Sequence, residues 1–248
     1  MASVDVVIPV YNEERALPHT IPTLRDFLSE PAFSYAWRIV IADNASVDNT
    51  PEVGRKLAEE SADQVEYVRI DRKGRGFALK QTWLASPMDI VSYMDVDLST
   101  ELEAFPKLIG AIAERGYDVA IGSRLARGSQ VTRSTKRRIL TRGYNTLIKA
   151  MFQTRFSDAQ CGFKAVSRDA AQRIIPLIED NNWFFDTELL ILAERMGYRI
   201  KDVPVEWVED PDTRVKIAST VGEDLRGLWR LFRRRPWQRA RAARSGAP

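Results

Sequence analysis

The sequence predicts an α/β fold: a mostly parallel, doubly wound sheet with helices on both faces. Three observations predict it. Short apolar runs recur through the first half of the chain, amphipathic helical patterns alternate with them, and each run ends on polar residues.

Val4 to Val10 is the first apolar run, and Arg38 to Ala42 the second. Near-continuous apolar character suits strands buried on both faces. Leu17 to Leu28 reads as the helix between them. Pro51 to Ala62 follows as a second helix, opened by Thr50 as N-cap with Pro51 at the first helical position. Val65 to Ile70, Ile90 to Met94 and Val119 to Ile121 continue the strands, with helices over about Gly76 to Ala85 and Phe105 to Arg115. The rhythm then loosens. A basic helix is expected from about Thr135 to Phe152, a turn over Asp158 to Lys164, a helix from about Phe185 to Met196 and a strand from about Ile200 to Val208. Near the end, Leu225, Leu228, Trp229 and Phe232 recur at helical spacing among arginines, the pattern of a helix lying in a membrane interface. Residues 1–221 are expected to form one domain, and 222–248 a basic amphipathic helix and tail.

Length and composition agree. The 248 residues fit one large domain, and 44% hydrophobic against 29% charged is a globular balance. The single cysteine, Cys161, has no intrachain partner, the N-terminus lacks a signal-peptide pattern, and no window approaches the roughly 18 to 20 apolar residues of a membrane span. The expected location is the cytoplasm, peripheral at the cytoplasmic face of a membrane. The net charge of +3 is unevenly spread. Residues 223–248 hold eight arginines against Glu223 and Asp224, and nine Lys or Arg lie between Asp118 and Asp158 without an acid among them.

In doubly wound folds ligands sit beyond the carboxyl ends of the strands. Here those tips carry Tyr11-Asn12-Glu13-Glu14, Asp43-Asn44-Ala45-Ser46 and Asp95-Val96-Asp97. Two carboxylates at one strand end suit a divalent cation that also holds phosphate oxygens, since Mg²⁺ keeps several waters and needs no complete protein cage. Asp71-Arg72-Lys73-Gly74-Arg75-Gly76 places three cations and two glycines before a helix, which suits a diphosphate. Alone, each pattern also reads as a solvated turn.

Together, Val7-Ile8-Pro9-Val10-Tyr11-Asn12-Glu13-Glu14, Asp43-Asn44-Ala45-Ser46, Lys73-Gly74-Arg75-Gly76, Asp95-Val96-Asp97 and Gly122-Ser123-Arg124 resemble, in content and order, the family 2 glycosyltransferases of the GT-A fold, a Rossmann-like architecture. Within that family, Asp158 to Lys164 and Trp183-Phe184-Phe185-Asp186-Thr187-Glu188-Leu189-Leu190 resemble the dolichyl-phosphate glucosyltransferases and mannosyltransferases, nearest the β-glucosyltransferase branch. The resemblance implies that Pro9, Tyr11, Glu13 and Asp43 border the nucleoside, that Arg75 and Arg214 approach the donor, and that Asp95 and Asp97 hold Mg²⁺ or Mn²⁺ and the diphosphate. It implies that Arg124, Arg137 and Thr141 receive the phosphate of a polyprenyl acceptor. The implied donor is UDP-glucose, with GDP-mannose the alternative. Asn44 replaces the second acid of the usual Asp-Asp-Gly-Ser turn, and Ser99 stands where many mannosyltransferases carry glutamine.

Chemistry bears separately on the acceptor. A hydroxyl nucleophile needs a base, whereas a lipid phosphate, with a second pKa of about 6, is already largely anionic near neutral pH. It needs cations instead, and Arg124, Lys136, Arg137 and Arg138 lie in the acid-free stretch. Asp158 and Asp186 are expected to orient basic residues. If the acceptor were a sugar or protein hydroxyl, Asp186 or Glu188 would be the base. His19 and Cys161 are assigned no chemistry. A polysaccharide synthase fits less well still, because the Gln-x-x-Arg-Trp motif and spanning helices of that group are missing from the sequence. The basic aromatic tail also fits a nucleic-acid module, a docking segment for a separate membrane subunit or a solvated end; membrane contact without nucleic acid is the preferred reading.

Overall fold

Strands Ser3–Val10 (β1), Ala36–Asn44 (β2), Val65–Ile70 (β3) and Ile90–Met94 (β4) lie parallel, as their apolar runs predict. The computed structural model describes residues 1–132, 134–208 and 217–238, without the side chains of residue 136 and residues 217–220. Val119–Ser123 (β5), Gln130–Thr132 (β6), Phe163–Ser167 (β7), Ile200–Pro204 (β8) and Glu206–Val208 (β9) complete the strands among these residues. The main sheet has the order β3-β2-β1-β4-β7-β5-β8, and β6 pairs with β9 in a separate two-stranded ribbon.

Two expectations change. Phe163–Ser167 is a strand, not the end of a turn, and it runs antiparallel between β4 and β5. The single strand expected over Ile200 to Val208 divides at Val205 into members of two sheets. The sheet remains mostly parallel, with one inverted strand near its centre.

Helices cover both faces. On one side Leu17–Leu28 (α1) and Phe105–Ala113 (α4) bury Leu17, Leu24, Phe105 and Leu108 against Val6 and Ile8, with Thr50–Glu60 (α2) alongside. On the other, Arg75–Ala85 (α3), Thr135–Phe152 (α5), Arg168–Ile174 (α6) and Phe185–Arg195 (α7) pack over Val7, Val91 and Val119. The alternation within β1, Val7 one way and Val6 and Ile8 the other, divides the core between the two layers. Ile217–Arg234 (α8) begins before residue 222 and places Leu228 and Leu231 in the second layer. Among the described residues no helix is long and apolar enough to cross a membrane.

Candidate active site

Because β1 to β4 are parallel, their carboxyl ends deliver polar tips to one edge of the sheet. Asp95 follows β4 and its carboxylate rests on Gly162, where an added Cβ would overlap the Asp95 oxygens. Asp97 is exposed and accepts the Ser99 backbone N–H at 2.9 Å. Asp95, Asp97, Ser99, Thr100 and Gly162 line a cavity of about 10 Å³, room for one water or ion. Among the described residues no cluster of three or more His, Cys, Asp or Glu forms. Two carboxylates with open positions fit a cation that completes its shell with water and phosphate oxygens, which suits Mg²⁺ or Mn²⁺ rather than zinc. Ser99, at the position noted for glutamine, lines this cavity.

Gly162→Ala should therefore displace Asp95 without disturbing the sheet. We expect transfer to fall about 10²-fold, the usual cost of a catalytic group moved by an ångström, with unchanged circular dichroism. Activity equal to the parent would remove Gly162 as the seat of Asp95.

Behind Asp95 lies a buried charge cluster. Arg75 donates to Asp186 at 2.6 Å and to Asp95 at 3.2 Å. Lys164, fully buried in β7, stands 3.0 Å from Asp186, and Tyr93 donates its hydroxyl proton to the same carboxylate. Burial alone would raise the Asp186 carboxyl; Lys164, Arg75 and Tyr93 outweigh it and hold it below the ordinary carboxylate range. Glu188, two residues along α7, faces elsewhere: it accepts the Asp180 N–H at 2.9 Å and Arg230 of α8 at 2.6 Å, and is 1% exposed.

The tip of β2 is equally committed. Asp43 is fully buried and accepts from the Ser46 N–H at 2.9 Å, the Tyr67 hydroxyl at 2.6 Å and Arg69 at 2.7 Å. Burial opposes its charge, but these donors prevail and lower its pKa. Asn44 accepts the Gly74 N–H at 2.7 Å and so anchors the turn that starts α3; this is the work done by the residue that departs from the usual acid. Tyr11, Pro9 and Glu13 are half-buried, Glu13 donates its N–H to Thr50 at 2.8 Å, and Lys73 lies 3.7 Å from the Tyr11 ring centre.

On the opposite side, Asp158 grips Arg124 in a two-pronged pair, to Nε at 2.7 Å and Nη2 at 3.0 Å. Burial opposes the Asp158 charge, but Arg124 holds its carboxyl low. Asn145 joins α5 to the same turn by accepting the Ala159 N–H at 2.9 Å and donating to the Thr141 carbonyl at 2.9 Å. Thr141 is buried, Arg137 is half-buried one helical turn before it, and Arg214 lies outside the described residues. Burial pushes the Cys161 thiol up to about 12, so it carries no thiolate near neutral pH.

A carboxylate pair at a strand end, a cation-rich turn before a helix and an acid-free helix over the site are thus gathered at one sheet edge. The family model for glycosyl transferase family 2 matches residues 5–175. The chain belongs to that family. Glycosyltransferase AglD of Haloferax volcanii is 36% identical over 236 residues, which are 92% of this chain and 37% of AglD. The dolichyl-phosphate β-glucosyltransferase of Saccharomyces cerevisiae is 31% identical, with 86% of this chain and 69% of that protein covered. Among solved structures, glucosyl-3-phosphoglycerate synthase from Mycobacterium tuberculosis with UDP matches at a TM-score of 0.65 and 20% identity over all of this chain and 81% of that one. The mannosyltransferase PcManGT of Pyrobaculum calidifontis, with GDP-Man and Mn²⁺, matches at 0.57 and 18%, over 99% and 75%.

The candidate site contains residues that sequence reasoning did not single out. Tyr67 and Arg69 come from β3, where they read only as strand residues. Tyr93 and Lys164 come from apolar strands, and the signal available for Lys164 was its place in the Asp158 to Lys164 motif. Asp224 of α8 is another. It accepts from Gln160 at 3.0 Å, tying α8 to the turn that seats Asp95. Burial, with Asp180 and Glu223 nearby, pushes its carboxyl up to about 7, against a hydrogen bond with Tyr144. The folded state therefore binds this proton more tightly than the unfolded chain, and stability falls as pH rises from about 4 to about 7. Asp224→Asn should melt at a higher temperature than the parent at pH 8, the gap closing as pH falls toward 4. A gap constant with pH would overturn the assignment.

Proposed function

We propose that this glycosyltransferase moves glucose from UDP-glucose to a polyprenyl phosphate at a membrane surface. The observation that carries the acceptor is the enclosure of Asp186. Its oxygens are held by Arg75, Lys164 and Tyr93, so it is an anion with little basicity, and Glu188 is bound to Arg230 with 1% exposure. Neither is placed to take a hydroxyl proton, and an ionised phosphate needs none taken.

Asp95 and Asp97 would hold Mg²⁺ or Mn²⁺, which when bound supplies positive charge to the departing diphosphate. Arg75 orients Asp95, while Pro9, Tyr11, Glu13 and Asp43 border the nucleoside; Arg214, outside the described residues, is assigned to the donor by the resemblance alone. Arg124, with Arg137 and Thr141 on α5, receives the lipid phosphate; Asp158 fixes the guanidinium by its Nε and Nη2 edge, so that it steers the phosphate without leaving its place. The attacking oxygen forms a bond to the anomeric carbon as the bond to the diphosphate oxygen breaks, with inversion. Relatives named as dolichyl-phosphate β-glucosyltransferases and a structural neighbour solved with Mn²⁺ and UDP-glucose support this choice. The chain spans 37% of AglD, so the activity of any longer protein is part of the same proposal.

Residues 222–248 are proposed as the membrane-interface segment. Val221, Leu225, Trp229 and Phe232 form an exposed stripe on α8, and Ile139, Leu140 and Leu147 are exposed on α5, which contacts it. Arginines 226, 233 and 234 flank the stripe. Replacing Trp229 and Phe232 together by Ala should cut binding to anionic vesicles about tenfold or more, because two large apolar side chains leave the interface. Unaltered vesicle binding would remove the stripe from the surface.

The deciding assay combines the protein, Mn²⁺, UDP- and GDP-sugars, and either a polyprenyl phosphate or a sugar hydroxyl acceptor. Glucolipid from UDP-glucose is expected. Product from GDP-mannose would replace the donor, and product only on a hydroxyl would overturn the acceptor.

A further inference from the structure

Trp183 is 45% exposed, whereas Phe184 and Phe185 beside it are 1% and 0% exposed. A tryptophan left half in water forgoes much of the burial its neighbours obtain. Its place is nevertheless firmly held. Asp180 accepts the N–H groups of Asn182 at 2.7 Å and Phe185 at 3.1 Å, and the Asn181 carbonyl accepts the Phe77 N–H of α3 at 3.0 Å. Two glycines permit this approach: a Cβ on Gly76 would stand 2.6 Å from the Phe185 Cβ, and one on Gly74 2.6 Å from the Asn181 oxygen. The loop before α7 is thus clamped to the start of α3.

That clamp sets the indole over Arg75. The guanidinium carbon lies 5.0 Å from the Trp183 ring centre and 4.8 Å from that of Tyr93. Tyr93 is fully buried, so it forms the inner contact and the exposed Trp183 the outer one. Arg75 in turn binds Asp95 at 3.2 Å. The indole therefore stands one side chain away from the carboxylate that would hold the donor diphosphate, and the sugar is the next group attached to that diphosphate. A hexopyranose presents C–H groups on its faces and hydroxyls around its rim, so an accessible aromatic face suits it, whereas a diphosphate is better served by cations.

We propose that Trp183 is a positioning residue for the donor hexose, its exposed face forming the platform on which the sugar lies. This rests on the glucosyl-donor reading above. A purely structural role would act through Arg75 and so on the whole donor, whereas here the contact is with the sugar and not with the nucleotide.

Calorimetry on the full chain with Mn²⁺, using UDP and UDP-glucose as separate ligands, tests it. Trp183→Ala should weaken UDP-glucose about tenfold while UDP changes less than about twofold, and Trp183→Phe should recover most of the loss. Equal weakening of both ligands would show that Trp183 acts only through Arg75 and overturn the proposal, as would unchanged UDP-glucose binding, including the case where only the KM for polyprenyl phosphate rises. If the parent protein binds GDP and GDP-mannose and neither uridine ligand, the donor reading fails, and the same comparison on that pair still decides the role of Trp183.

Discussion

Asp97→Ala should reduce glycosyl transfer by about 10³-fold and leave the melting temperature close to that of the parent. The contrast follows from its surroundings. Asp97 is exposed and accepts the backbone N–H of Ser99, so truncation uncovers no buried charge. What is lost is half of the carboxylate pair at the cavity beside Gly162. The same substitution at Asp95 would be harder to interpret, because Arg75 would lose a partner within the buried cluster. Chelation of the parent protein should abolish transfer, and added Mn²⁺ should restore it there but not in Asp97→Ala. Full activity of the variant with Mg²⁺ or Mn²⁺ would end the assignment of Asp97 to the metal.

The parts of this site that were legible in the sequence are those where one residue type has one physical use. Apolar runs such as Val4 to Val10 leave a strand buried on both faces as the natural reading, and the polar residues that end them mark the ligand edge. Lys164 behaves otherwise. It lies within β7, beside Phe163, Ala165 and Val166, and a lysine in a central strand contradicts hydropathy until its partners are known. Those partners, Asp186 from α7 and Tyr93 from β4, are distant in sequence, so no local pattern announces the pairing. Asn44 shows the same limit at a smaller scale. In sequence it shows only as a departure from the usual acid, while its side chain serves the Gly74 turn. On α8 the helical spacing of Leu225, Leu228, Trp229 and Phe232 was legible, but the spacing did not show that Leu228 turns inward while the other three stay exposed.

Lys164→Met should be the most destabilising of these substitutions. Lys164 is 0% exposed at its side chain and Asp186 4%, so removing the ammonium leaves a buried carboxylate short of a partner. Breaking a buried pair from one side typically costs about 3 to 5 kcal/mol, which for a chain of this size lowers the melting temperature by roughly 6 to 20 °C. Arg75 remains on Asp186, which favours the lower part of that range. The acid limb should move as well. A carboxyl held below its ordinary 3.8 contributes stability that is complete above that value and is lost as pH falls through the lower folded-state value. Without Lys164 the folded-state value rises, so acid unfolding should begin at higher pH. The decisive comparison is the double variant Lys164→Met with Asp186→Asn, which removes one charge of each sign. It should melt above the temperature expected from adding the two single losses, because the second change relieves the charge that the first exposed. Strict additivity would mean that Lys164 and Asp186 stabilise the fold independently, and that the enclosure of Asp186 owes little to the lysine. Transfer activity in the double variant would then report on Arg75, which retains Asp95 alone: if Asp186 serves to orient that guanidinium, activity stays low even where stability recovers.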